Sequence, residues 1–120
     1  MPLYGTAVTT LYPNQQLALF DGTETPALGV KSAAFRCHHG SAQVPCGQTF
    51  TVTFPQSATA TVMIQASNDD LEAHYQTLQS LGFAGVTTPA YYADYGEFKF
   101  YRANLSAYTG GGMPTVIVQR

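Results

Sequence analysis

Apolar and polar residues alternate with a period of two through much of this chain. In residues 48–54, Phe50, Val52 and Phe54 fall on one side while Thr49, Thr51 and Thr53 fall on the other. That is the period of a half-buried β-strand, with threonine suited to the wet face. Pro55 ends it. Residues 58–66 alternate again, placing Ala60, Val62, Ile64 and Ala66 inward and Thr59, Thr61, Met63 and Gln65 outward. Residues 15–20 predict a short apolar strand closed by the turn-forming pair Asp21-Gly22, and residues 28–36 predict another. Residues 97–108 form a long aromatic-rich run, and Thr109-Gly110-Gly111-Gly112 then makes a turn. Residues 114–119 close the chain as a strand with Val116 and Val118 on one face. The last two strands are predicted to pair as an antiparallel hairpin.

Residues 68–82 carry two patterns. Asp69 followed by Glu72 matches a capping box, and Leu71, Tyr75, Leu78 and Leu81 lie at helical spacing. The alternative places a turn at residues 67–70 and a strand at residues 74–78, and the strands on either side favour it. The pattern as a whole predicts a single all-β domain, an antiparallel β-sandwich or jelly roll. The sandwich occupies residues 14–120, preceded by residues 1–13 as an N-terminal arm or edge strand. A length of 120 residues suits one domain.

Charge changes the picture most. Only 10% of residues are charged, against about 25% in an average soluble domain. A net charge of -2 argues against nucleic-acid binding, which needs a basic face to neutralise phosphates. A low-charge exterior is expected to be covered, because interface cores are depleted in Lys, Glu and Asp. No apolar run is long enough to span a bilayer, so no membrane partner is expected. Met1-Pro2-Leu3-Tyr4-Gly5 lacks a basic segment followed by an apolar stretch. The chain is therefore expected to be made and held in a cytoplasm until it meets a partner.

Candidate chemistry is sparse. Cys37-His38-His39 and Cys46 are the one metal-like cluster, but three adjacent candidates on an extended chain point in opposite directions and rarely bind one ion. Cys37 and Cys46 are expected as thiols at synthesis, able to pair later outside the cell if a hairpin places them on opposite strands. No cofactor or metal is expected. His74 has Asp69, Asp70 and Glu72 nearby in sequence, yet no nucleophile sits in a recognisable turn, and Gly110-Gly111-Gly112 lacks the Lys and Ser/Thr of a phosphate loop. No catalytic residue is assigned and the chain is not expected to be an enzyme. Residues 90–96 read as a loop in which Tyr91, Tyr92, Asp94 and Tyr95 form a candidate interface, since tyrosine offers large contact area at low entropic cost.

The run Tyr101-Arg102-Ala103-Asn104-Leu105-Ser106-Ala107-Tyr108, turning through glycines into Pro114-Thr115-Val116-Ile117-Val118, resembles the C-terminal hairpin of small β-sandwich virion proteins of tailed bacteriophages. Val62 to Asp69, followed by Tyr75-Gln76-Thr77-Leu78, is similar to the preceding strand pair. The resemblance spans about the last half of the chain and favours strand for residues 74–78. It implies a capsid decoration (cement) protein. Such a protein would bind the outer surface of the phage head, contact the major capsid protein and copies of itself as a dimer or trimer, and carry no catalytic residues. A glycan- or receptor-binding module of a tail or fibre, or a head–tail connector component, are the alternatives.

Overall fold

The computed structural model describes residues 8–37, 47–95 and 98–120. Among them, ten strands follow in order: β1 (Thr9–Leu11), β2 (Gln16–Asp21), β3 (Val30–Lys31), β4 (Phe35–Cys37), β5 (Gln48–Thr53), β6 (Ala58–Ser67), β7 (Gln76–Val86), β8 (Ala90–Asp94), β9 (Phe100–Tyr108) and β10 (Thr115–Gln119). A single 3-10 turn lies at Glu72–His74. The strands form two packed sheets, as the all-β sandwich pattern predicts. One sheet has the order β1-β4-β9-β6-β7, with β3 beside β9 next to β4, and the other has the order β2-β10-β5-β8. Pairing is antiparallel except between β1 and β4.

The inward face of each alternating strand meets the opposite sheet. Phe50, Val52, Val116 and Val118 from the four-stranded sheet are fully buried, as are Val62, Ile64, Tyr101, Ala103 and Leu105 from the other. Phe50 lies 6.1 Å from both Phe35 and Tyr101, centroid to centroid. Phe54 meets Phe83 edge-on at 4.8 Å. Such offset and edge geometries suit the aromatic quadrupole. The predicted inward residues Ala60, Val62, Ile64 and Ala66 of β6 are all buried.

Three local expectations are corrected, and a fourth changes only in its bounds. The last two strands do not form a hairpin: β9 pairs with β6, β4 and β3, whereas β10 pairs with β2 and β5 in the other sheet. Residues 109–114 therefore cross between the layers. Gly111 has φ +106° there, and a Cβ on it would sit 2.5 Å from the Ala58 Cβ, so the crossing is built on a residue with no side chain. The strand predicted at residues 28–36 divides into β3 and β4. Between them Ser32 keeps the chain attached to β9, its N–H donating to Ala103 O at 2.8 Å and its Oγ accepting from Ala103 N at 2.9 Å.

Residues 90–96 are not simply a loop, because residues 90–94 form β8, aligned with β5 so that Tyr92 faces Phe50. Of the two readings of residues 68–82, the favoured strand is present with other bounds and the α-helix is not, a 3-10 turn at Glu72–His74 being the one helical piece there. Leu71 is 45% exposed whereas Leu81 is buried, so the helical spacing serves no common face. The strand begins at Gln76, after the 3-10 turn, and continues to Val86, past the predicted end at residue 78. Thr9–Leu11 forms an edge strand of the larger sheet, and residues 1–7 lie outside the described residues.

Candidate functional site

The two outer faces of the sandwich differ in chemistry. Strand register arranges the outer face of the four-stranded sheet in rows: Asp21, Thr115 and Thr53; Ala18, Ile117, Thr51 and Tyr91; Gln16, Gln119, Thr49 and Ala93. Asp21 is the one charged member, at a corner. Its carboxylate is engaged by Thr23, whose N–H donates at 2.9 Å and whose Oγ1 donates at 2.5 Å. These hydrogen bonds hold the Asp21 carboxyl below the ordinary carboxylate range. The rest of the face is threonine, glutamine, alanine, isoleucine and tyrosine, so covering it strips water from few strongly hydrated groups.

Strand β8 borders this face and, with Tyr95 just after it, carries the residues assigned from sequence to an interface. Tyr91 is 65% exposed and Tyr95 76% exposed. Tyr92 points the other way and stacks on Phe50, with 6.1 Å between centroids. Its hydroxyl donates to Asp94 Oδ1 at 3.1 Å. Burial, then the neighbouring Asp94 carboxylate, pushes the Tyr92 phenol up to about 12. The four residues thus divide: Tyr91 and Tyr95 face solvent, whereas Tyr92 and Asp94 anchor the strand. Tyr92→Ala is expected to cost about 2 kcal/mol, through lost packing and an aromatic pair. Tyr91→Ala should stay within about 0.5 kcal/mol of wild type. Urea midpoints of the two variants check the difference.

The outer face of the other sheet holds a polar cluster that sequence reasoning missed. Arg102 on β9 is 7% exposed. Its guanidinium donates to both Glu72 carboxylate oxygens at 2.7 and 2.8 Å and to Gln65 Oε1 at 2.9 Å, and lies 3.9 Å above the Tyr75 ring. The Tyr75 hydroxyl donates to Asp70. These contacts lay residues 68–75 over the sheet.

Asp69 secures the same segment. Its Oδ1 accepts from Ser67 Oγ at 2.8 Å and Leu71 N at 3.1 Å, and its Oδ2 is 2.5 Å from His74 Nδ1. The carboxylate stands between serine and histidine, so the imidazole does not serve the hydroxyl. The order Ser–Asp–His is that of a fastened turn, not of a nucleophile with its base. Farther along this outer face, Thr59, Thr61, Gly82, Ala84, Ala107 and Thr109 line an open depression of about 250 Å³ whose walls are mostly apolar.

Among the described residues no three His, Cys, Asp or Glu side chains are placed to hold a metal ion. Cys37 is buried and disulfide-bonded, with its Sγ 2.9 Å from Gln48 Oε1. The chain's other cysteine, Cys46, and His38 and His39 lie outside the described residues. No family model, curated protein or solved structure matches this chain.

Proposed function

We propose that this chain is a non-catalytic structural protein of a phage virion that decorates the outside of the head. In this reading the outer face of the four-stranded sheet lies against the major capsid protein and steadies contacts between its subunits. The observation that carries the reading is the lack of charge on that face, with Asp21 alone at its corner. Such a surface is poorly suited to facing water alone and well suited to being covered. The setting rests on the resemblance in sequence of the C-terminal half to small β-sandwich virion proteins of tailed bacteriophages, a likeness of residues and not of pairing, since β9 and β10 lie in different sheets here. A lattice of identical sites would add strength through many copies, each making a modest contact.

Counting copies tests the proposal. Virions should contain hundreds of copies, all on the head, and heads lacking the protein should lose resistance to heat or low salt. A handful of copies at the tail, with loss of adsorption when the protein is removed, would overturn it. That outcome would favour a receptor- or glycan-binding module, for which the exposed Tyr91 and Tyr95 would form the contact.

A further inference from the structure

We infer that β8 is a pairing edge, at which a second copy of this chain adds its own β8 antiparallel about a two-fold axis through Tyr92. An edge strand exposes unpaired N–H and C=O groups, and proteins normally guard such edges by shortness, bulges, proline or charge. The other edges among the described residues carry such guards. In the larger sheet, β1 has three residues and β3 has two. Strand β7 is broken twice, at Leu78 and Gly85, where its register against β6 shifts. In the four-stranded sheet, β2 has an extra residue at Leu19, where its register against β10 shifts. Strand β8 runs in unbroken register along β5 from Ala90 to Asp94. It contains no proline, lysine or arginine, its one charged residue, Asp94, is its last, and Pro89 ends the available ladder on the other side.

The sequence of β8 suits its own copy. With the axis at Tyr92, all five residues are paired: Tyr92 faces the partner's Tyr92, Tyr91 faces the partner's Ala93, and Ala90 faces the partner's Asp94. Tyr91 and Ala93 both point outward on the solvent face, so a large side chain meets a small one twice. The two Asp94 carboxylates lie at opposite ends of the ladder, each facing an alanine, so like charges are not opposed. A shift that places Tyr91 or Ala93 on the axis shortens the ladder and loses this match. The contact is isologous and closes on itself. It joins two four-stranded sheets into one, and their charge-poor outer faces become continuous. The pairing rests on edge geometry and holds whether or not that face meets a capsid.

A five-residue ladder is smaller than the roughly 1,600 Å² of a standard interface, so the dimer should form with rising concentration. Sedimentation equilibrium of the purified chain should show the mass climbing from 12.9 kDa toward twice that value. Ala93→Lys, at an exposed position, should weaken dimerisation at least tenfold. For the register, Tyr91→Cys and Ala93→Cys chains are mixed under mild oxidation, and the new linkage is located by peptide mass. The mixed 91–93 disulfide should exceed 91–91 linkage at least tenfold, because only directly opposed residues fall within disulfide reach. A chain that stays monomeric at every concentration overturns the inference. So does a dimer indifferent to Ala93→Lys, or 91–91 linkage as frequent as 91–93. No heads enter the assay, so failure of head binding leaves the result untouched.

Discussion

Gly111→Ala is expected to lower the unfolding free energy by about 3 kcal/mol, combining backbone strain with crowding. Gly111 has φ +106°, a conformation that costs any other residue. Its added methyl would also lie 2.5 Å from the Ala58 Cβ and 2.7 Å from the Ala58 Cα. Ala58 is buried at the start of β6, and a backbone atom in a paired strand cannot swing aside as a long side chain would. Gly85→Ala supplies the comparison. Gly85 also has positive φ, at +70°, but nothing lies within 4 Å of its added methyl, so it should lose only about 1 kcal/mol. Urea unfolding with unchanged slope separates the two. Equal losses would mean that the crossing between sheets is not closely packed against β6.

Glu72→Ala is expected to cost about 2 kcal/mol, more than Arg102→Met at about 1 kcal/mol. Removing Glu72 leaves the guanidinium of Arg102, 7% exposed, without its ionic partner. Breaking a fully buried pair this way costs about 3–5 kcal/mol. The Glu72 side chain is 69% exposed, so water screens the pair and the loss is smaller. Arg102→Met removes the charge and preserves most of the apolar stem, leaving mainly Gln65 Oε1 without its donor. Acid should act through the same pair. The Arg102 hydrogen bonds hold the Glu72 carboxyl below its ordinary value of 4.5. Its contribution is therefore complete above about pH 4.5 and is lost as pH falls through the lowered folded value. Denaturant midpoints at pH 7 and pH 3 should fall less steeply in Arg102→Met than in wild type.

The strands with strict alternation were readable from the chain because one face is buried and the other wet. Strand β5 shows this most plainly, with Phe50 and Val52 inside and Thr49, Thr51 and Thr53 outside. Partnership was not readable. A glycine run such as Gly110-Gly111-Gly112 closes a hairpin or crosses between sheets equally well in composition. The contact with Ala58, far away in sequence, decides between them. Strand β8 was hidden because Ala90-Tyr91-Tyr92-Ala93-Asp94 has little contrast between faces, and its stacking on Phe50 appears only once β5 lies beside it. Arg102 and Glu72 are 30 residues apart, and no local pattern links them.

The candidate surface was half legible. The outward threonines of β5 are plain in the sequence. That they adjoin Thr115 and Ile117 on one side and Tyr91 and Ala93 on the other follows from the sheet order. Charge scarcity in the whole chain became a feature of one face only when the rows could be assembled.

Binding of two lysine variants to heads lacking the protein is the most direct measurement. Ile117→Lys places a charge in the middle of the uncharged face, and Ala84→Lys places one on the exposed outer side of β7 in the other sheet. With both variants folded, Ile117→Lys should bind at least tenfold more weakly and Ala84→Lys should bind as wild type does. Normal binding by Ile117→Lys, or loss confined to Ala84→Lys, would contradict the assignment of the four-stranded sheet as the docking face.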